Sequence, residues 1–211
     1  ELDVVIPVRT GVEFLPEAVA SAATQIDATV RVIVVDDGAD PDPAAMLAGV
    51  DGVHLTVIAN SGPPGIAGAR NAGAAVGRSP LLAFLDADDT WPATRTAALL
   101  ALLDAGHGQA FGAVELTDRD GRSVGREHAP VVGAGLMRRE VWDALGGFDP
   151  ALGVGEFIDW MSRARALGIA EGRTDATALR RRSHDGNMTR TAPTEGYVAV
   201  ARAHLRRRRL P

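Results

Sequence analysis

The stretch that decides the fold reads Phe84-Leu85-Asp86-Ala87-Asp88-Asp89. It follows an apolar run over residues 81–85 that predicts a short, buried strand, so three carboxylates stand where a strand ends. Carboxylates are costly to bury unless a cation is held beside them. At this position they suit a hard divalent cation, which can in turn hold a diphosphate. The stretch therefore indicates a site for a metal ion and a nucleotide.

The flanking sequence alternates between strand and helix patterns. Further apolar, β-branched runs predict strands at residues 2–8, 30–35 and 53–58. The segments between the strands predict helices at residues 14–24, 65–76 and 92–103. Strands buried on both faces and separated by helices predict an α/β fold with an open, mostly parallel sheet flanked by helices.

The second half of the chain is less regular. Its patterns predict strands at residues 110–116, 123–132 and 177–180, and helices at residues 139–145, 156–167 and 194–209. No repeat is present, so we expect a single domain over residues 1–211. Within it we expect a nucleotide-binding half (1–105), an acceptor and catalytic half (106–190) and a final helix.

Composition narrows the class of protein. The 211 residues are 46% hydrophobic, enough to bury a core, and no apolar run approaches the ~20 residues that span a bilayer. The net charge of −5 argues against a general nucleic-acid binder. The chain has no cysteine and opens on no secretory pattern, so we expect a cytoplasmic protein.

Three predicted strands end in polar chemistry, and a parallel sheet would bring those ends to one edge. In open α/β sheets ligands bind outside the carboxyl ends of the strands. The candidates at these ends are Pro7 and Arg9, Asp36 and Asp37, and Asp86, Asp88 and Asp89. Their convergence would follow from topology.

Two of these candidates have competing interpretations. The Asp36-Asp37 pair can accept hydrogen bonds from a base or a ribose, but Asp-Gly pairs are also common in turns. Arg70 lies on a helix entered through glycines and suits a pyrophosphate. The alternative is a close-packed helix with a solvated Arg70.

The predicted late helix carries the candidates for a general base. Glu156, Asp159 and Arg163 share one helical face. We expect Phe157, Trp160, Ala164 and Leu167 to face the core. A carboxylate in the first turn is favoured by the helix dipole without any function, which is the competing interpretation for Glu156.

The C-terminal segment offers a histidine and a basic run. His184 follows a predicted strand among turn-forming residues, which allows a metal or phosphate role; the alternative is an exposed or structural histidine. The Arg206–Arg209 run is interpreted as a solvated helix end, with a peripheral membrane contact as the alternative.

Taken in order, these segments resemble glycosyltransferase family 2, enzymes of the GT-A fold. The resemblance runs from about Val4 to Thr189. Its segments are Val4-Val5-Ile6-Pro7-Val8-Arg9, Val34-Val35-Asp36-Asp37-Gly38, Gly68-Ala69-Arg70-Asn71-Ala72-Gly73, Phe84 to Asp89 with Trp91-Pro92, and Gly146-Gly147-Phe148-Asp149.

The resemblance implies a nucleoside-diphosphate sugar as donor, with a UDP-sugar expected, and inverting transfer to an acceptor hydroxyl. It implies that Asp37 or Asp36 contacts the base and that Asp86 lies near the ribose. It also implies that Asp88 binds Mn²⁺ or Mg²⁺, and that His184 completes the metal or diphosphate site.

One departure bears on the chemistry. The family usually carries Glu-Asp at the start of the late helix, with that Asp as base, and Phe157 stands in its place. The base is then Asp159 or Glu156, and we favour Asp159. A sugar-1-phosphate nucleotidyltransferase and a non-catalytic nucleotide-sugar binder are the alternative functions.

Overall fold

The computed structural model describes residues 1–183 of the chain, and within them eight strands form one sheet. In chain order the strands are β1 (Leu2–Val8), β2 (Val30–Asp36), β3 (His54–Ala59), β4 (Leu81–Phe84), β5 (Gln109–Thr117), β6 (Ser123–Glu127), β7 (Gly135–Arg138) and β8 (Glu171–Arg182). The helices are α1 (Leu15–Ala23), α2 (Pro43–Met46), α3 (Ile66–Val76), α4 (Arg95–Asp104), α5 (Arg139–Leu145) and α6 (Glu156–Ala166). Two short 3₁₀ turns lie at Val12–Phe14 and Val132–Ala134.

The strand order is β3-β2-β1-β4-β7-β5-β6, with β8 paired to β5. Strands β3, β2, β1 and β4 are parallel to one another, whereas β7 is antiparallel to both β4 and β5. The predicted α/β fold, a mostly parallel sheet flanked by helices, is confirmed. Because β7 pairs with β4, one sheet runs through both halves of the chain.

Strand β1 shows why the sheet is covered on both faces. All seven of its residues are buried, and successive side chains alternate between two apolar layers. Val4 and Ile6 pack with α1 and α4, whereas Val5 packs with α3, α5 and α6. A continuous apolar run is the pattern expected of such a strand.

The structure differs from the sequence-based expectations mainly in the second half. Strand β7 and helix α2 were not predicted. Each spans only four residues, and neither contains a continuous apolar run like that of β4, so the periodicity is too short to detect. Strand β6 ends at Glu127 instead of residue 132, and β8 is longer than the predicted 177–180. The extra length of β8 is polar and is defined by its pairing with β5, which the sequence pattern does not show.

The predicted faces of α6 need a correction. Leu167, expected in the core, caps the helix and is 60% exposed, because α6 ends at Ala166. Asp159, expected on the open face, is instead buried. Trp160 and Ala164 lie in the core as expected.

Some expectations fall outside residues 1–183: His184, the helix at 194–209 and the Arg206–Arg209 run. In the described part of the chain, no helix combines the length and the apolar character needed to cross a membrane.

Candidate functional site

A cavity of about 310 Å³ opens at the carboxyl ends of β1, β2 and β4, facing the start of α6. It is lined by Pro7, Val8, Arg9, Thr10, Asp37, Gly65, Ile66, Ala69, Arg70, Asp86, Ala87, Asp88, Asp89, Gly153, Val154, Gly155, Glu156, Phe157, Ile158 and Arg181. Residues from six separate segments therefore share one cavity.

The parallel register explains how the strand ends meet. Val8 is paired with Asp36, and Val5 with Phe84, so the residues that follow these strands emerge side by side. The predicted site residues that line the cavity are Pro7, Arg9, Asp37, Arg70, Asp86, Asp88 and Glu156. Asp36 and Asp159 are not among the lining residues.

Asp37 joins the end of β2 to the loop before α3. Its carboxylate accepts hydrogen bonds from the Asn60 side chain at 2.7 Å and from the Gly65 backbone N–H at 2.9 Å. The exposed Arg9 guanidinium lies 3.8 Å away, too far for a direct hydrogen bond. These contacts hold the carboxylate at the cavity wall.

Asp36 stabilises a turn, which is the alternative to the predicted role in ligand binding. One of its oxygens accepts hydrogen bonds from the backbone N–H groups of Gly38, at 2.9 Å, and Ala39, at 2.8 Å. This is the Asx-turn that Asp-Gly sequences favour. The carboxylate thus shapes the loop that presents Asp37.

The acidic loop after β4 concentrates negative charge at the cavity. A turn is closed by the Asp89 N–H, which donates to the Asp86 carbonyl at 3.1 Å. Asp89 is buried and accepts a hydrogen bond from the Arg182 N–H at 3.0 Å. Burial, followed by the Coulombic repulsion of Asp88 and Asp86, raises the pKa of Asp89 well above its ordinary value of 3.8.

Arg70 is the most heavily used cation of the site. Its Nη2 donates to Asp86 at 2.6 Å and its Nη1 donates to Glu156 at 2.7 Å, while its Nε is buried without a hydrogen-bond partner in residues 1–183. Burial alone would lower the pKa of Arg70, but the two carboxylates outweigh burial and raise it. The predicted alternative of a solvated Arg70 does not hold, because the residue is only 3% exposed.

Two glycines of α3, one on each side of Arg70 in the sequence, are required by close packing. A Cβ on Gly68 would lie 1.8 Å from the Pro63 carbonyl oxygen. A Cβ on Gly73 would lie 2.4 Å from a methyl group of Val5 in β1. Helix α3 can therefore lie directly on the sheet, and its N-terminal turn reaches the cavity.

Asn71 joins α3 to the turn that precedes α6. Its side chain donates to the Phe148 carbonyl at 2.8 Å and accepts from the Phe148 N–H at 3.0 Å. Gly147 has φ +79°, and a Cβ there would lie 2.9 Å from the Asn71 amide oxygen. This clasp sets the position from which α6 starts.

Asp159, the base favoured by sequence, lies in the interior. Its side chain is fully buried and accepts a hydrogen bond from the Arg163 Nε at 2.9 Å. Arg163 also donates to the carbonyls of Leu145 and Gly147. The pair therefore secures the turn before α6, and the carboxylate of α6 that lines the cavity is Glu156.

Phe157 presents an aromatic ring to the cavity where the family pattern has a carboxylate. Its ring is nearly parallel to that of Trp160, with 13° between the planes and 6.3 Å between centroids. The edge of Phe111 packs against it at 5.9 Å. Phe157, with Val154 and Ile158, makes the α6 side of the cavity apolar.

Two contributors were missed by the sequence reasoning. Asn60 directly follows β3, so the rule applied to the ends of the other strands would have identified it. Arg181 lines the cavity, and its charge partly offsets the rise in the pKa of Asp89 that burial causes. It sits in a run of three arginines, which gives no signal for which one faces the site.

The oxygen donors of the acidic loop fit a hard divalent cation. Asp86 and Asp88 line the cavity, and their negative charge raises the pKa of the neighbouring Asp89. A bound cation would offset this repulsion, and carboxylate oxygens are the ligands that Mg²⁺ and Mn²⁺ prefer. Residues 1–183 contain no group of three or more histidine or acidic side chains arranged to hold a metal ion. Any ion held here would need further ligands, such as diphosphate oxygens.

Comparisons with known proteins agree with this arrangement. The model of the family "Glycosyl transferase family 2" matches residues 3–156. The succinoglycan biosynthesis protein ExoO of Rhizobium meliloti is 34% identical over 122 residues, which are 57% of this chain and 35% of that protein. ExoU of the same organism is 36% identical over 100 residues, 46% of this chain and 29% of that protein. The chain thus spans about a third of the length of these relatives.

Solved structures share the fold. S. aureus TarS 1–349 in complex with UDP-GlcNAc has a TM-score of 0.76 at 18% identity, covering 97% of this chain and 65% of that one. The mannosyltransferase PcManGT from Pyrobaculum calidifontis, in complex with GDP-Man and Mn²⁺, has a TM-score of 0.66 at 18% identity, covering 97% and 61%.

Proposed function

Because the chain belongs to glycosyl transferase family 2, we propose that it transfers a sugar from a nucleoside-diphosphate sugar to an acceptor hydroxyl, with inversion at the anomeric carbon. The observation that carries the proposal is the single cavity in which Asp37, the Arg70 ion pairs, Asp88 and Glu156 meet. A UDP-sugar is the expected donor, since TarS is described with UDP-GlcNAc. We also propose that residues 1–211 form one domain, which is supported by the sheet that both halves of the chain share.

The polar end of the cavity would bind the nucleotide. Asp37 is already fixed by Asn60 and the Gly65 N–H, so its carboxylate can accept hydrogen bonds from the base without being reorganised. Pro7 and Arg9 line the same end, and Asp86 faces the expected ribose. Asp36 is left to shape the turn.

Asp88, with Asp86 beside it, would hold Mn²⁺ or Mg²⁺. The bound cation neutralises charge that develops on the leaving diphosphate. Arg70 and Arg181 add fixed positive charge to the same cavity, so the chain's own residues share that task. His184 stays a predicted further ligand outside the described residues.

Glu156 is the carboxylate placed to act as general base. Its Oε1 accepts the Arg70 hydrogen bond, and within residues 1–183 no hydrogen bond engages Oε2, which would accept the proton of the acceptor hydroxyl. As the acceptor oxygen bonds to the anomeric carbon, the bond from that carbon to the diphosphate breaks and the acceptor proton passes to Glu156. General-base assistance of this kind contributes about 10²- to 10⁴-fold.

The alternative of a non-catalytic nucleotide-sugar binder is supported by two observations. Phe157 replaces the family's usual base, and Glu156 is already paired with Arg70. The two functions differ in turnover: a binder would retain donor affinity and release no nucleoside diphosphate in the presence of acceptors.

Calorimetric titration of UDP and UDP-GlcNAc in Mn²⁺, together with an assay of UDP release, tests the proposal. We expect Asp88→Asn to weaken UDP binding by on the order of 10- to 100-fold, as loss of a metal-site interaction does. Asp143→Asn, an exposed change outside the cavity, should have no effect. If the wild-type protein bound none of UDP-GlcNAc, GDP-mannose or their nucleotides, the proposal would fail.

A further inference from the structure

The cavity has two chemically different walls. The strand side carries Asp86, Asp88 and Asp89, whereas the α6 side carries Val154, Phe157 and Ile158 next to a single carboxylate, Glu156. We call these three apolar residues the apolar wall. Ile158 is 52% exposed, so it presents apolar surface to solvent next to the cavity.

Phe157 is held rigidly in this wall. Its near-parallel contact with Trp160 and the edge contact from Phe111 fix the orientation of its ring. Trp160 and Phe111 are themselves buried, at 0% and 3% exposure. The half-buried Phe157 ring is therefore a pre-formed surface, and a ligand that packs on it need not order it first.

The two walls match the chemistry of a hexopyranose. Such a ring has a hydroxyl rim that seeks hydrogen bonds and a face of C–H groups that does not. A purely apolar ligand would remove water from the Asp86 and Glu156 oxygens that do not bond to Arg70. A fully polar ligand would leave the apolar wall uncovered. A sugar ring satisfies both walls at once.

We infer that Phe157 is a specificity-determining platform on which a hexopyranose ring of the substrates packs its C–H face. The inference rests on the proposed function, because it assigns a place to one of the two sugars of the transfer. The ring can belong to the donor sugar or to the acceptor, and Glu156, the preceding residue, lies beside it in either case.

The test compares Phe157→Leu, which keeps an apolar side chain and removes the ring, with Phe157→Tyr, which keeps the ring. The first arm measures the dissociation constants of UDP and of UDP-GlcNAc in Mn²⁺ and divides the value for UDP by the value for UDP-GlcNAc. The second arm measures the rate of UDP release with methyl β-glucopyranoside and with glycerol, which has no ring, and divides the first rate by the second.

Aromatic contacts are worth an effect of about three- to tenfold. We expect Phe157→Leu to change the affinity for UDP alone by no more than about twofold. It should reduce at least one of the two ratios by about three- to tenfold. A change in the first ratio identifies the donor sugar, and a change in the second identifies the acceptor. Phe157→Tyr should retain both ratios.

Two results would overturn the inference. In one, Phe157→Leu changes neither ratio. In the other, it weakens UDP binding and glycerol transfer as much as it weakens the sugar-dependent steps, which marks a packing defect. In both results the wild type still binds UDP-GlcNAc and releases UDP in the presence of an acceptor. Failure of the proposed function is different, because the wild type would then bind no nucleotide sugar, or would bind it and release no nucleoside diphosphate.

Discussion

The Nη1 of Arg70 in α3 lies 2.7 Å from the Oε1 of Glu156 at the start of α6, and both side chains are buried. Through its Nη2 the same guanidinium holds Asp86, which follows β4. One side chain thus fixes a carboxylate from each half of the chain. The Arg70 guanidinium therefore sets the distance between the carboxylates of Asp86 and Glu156.

Replacing Arg70 by Met should destabilise the fold and abolish activity. The change leaves two carboxylates facing one another without their cation, which costs about 3–5 kcal/mol for a buried pair. Asp86 is 38% exposed, so water screens its share and we expect the lower end, about 3 kcal/mol. Urea unfolding measures the loss, with exposed Arg78→Met as the control. An unchanged midpoint for Arg70→Met would contradict the ion-pair assignment.

The two acidic residues of α6 should separate into a chemical and a structural role. We expect Glu156→Gln to lower kcat/KM by about 10²- to 10⁴-fold, because it removes the proposed base. Asp159→Asn should lower the melting temperature, since it weakens the buried pair with Arg163, and leave kcat of the folded protein nearly unchanged. Parallel kinetics and thermal unfolding distinguish the two. Equal kcat values for Glu156→Gln and the wild type would remove Glu156 from the mechanism.

Gly68→Ala should damage the entry to α3. The added methyl group would meet the Pro63 carbonyl at 1.8 Å, so the backbone must move. Overpacking of this kind costs about 1–3 kcal/mol. Gly49→Ala is a matched control, because a Cβ there has no atom within 4 Å. Chemical unfolding of both variants checks this; equal losses would show that the close contact is not the cause.

The buried Asp3 should make the protein sensitive to acid. Burial alone would raise the pKa of Asp3, but hydrogen bonds from Arg31 and Ser79 outweigh it and lower the pKa below its ordinary 3.8. A carboxyl group with a lowered pKa in the folded state stabilises the fold above the unfolded-state pKa. That contribution is lost as the pH falls below about 3.8 toward the folded-state pKa.

The measurement is the free energy of unfolding as a function of pH for the wild type and Asp3→Asn. The wild type should lose stability more steeply below about pH 4 than the variant, which lacks the titrating group. Exposed Asp51→Asn should follow the wild-type curve. Parallel curves for the wild type and Asp3→Asn would show that Asp3 does not contribute to acid sensitivity.

The parallel half and its strand-end residues could be predicted because buried parallel strands leave a strong apolar pattern. The runs that become β1 and β2 predicted both the strands and the edge at which Asp37 emerges. The four residues of β7 and the polar β8 leave no such pattern, because long-range pairing defines them.

Side-chain partners were the second limit. Asp36 and Asp37 are neighbours of the same type, and only the fold shows that one closes a turn and the other lines the cavity. Helical spacing predicted that Glu156 and Asp159 share one open face of α6. It could not show that Asp159 is buried in an ion pair with Arg163, which also donates to the Leu145 and Gly147 carbonyls.

The Asn71 clasp on Phe148 has a practical consequence for chimaeras. A chimaera that joins the N-terminal half of this chain to the C-terminal half of a relative has its crossover between these two positions. The clasp uses only main-chain atoms at position 148, but the Phe148 ring is buried in the core against Phe84, Trp142 and Trp160, so this position must keep a side chain that fills the same space. A chimaera should therefore have both Asn at position 71 and Gly at position 147. Otherwise the clasp cannot form and the start of α6 would be shifted.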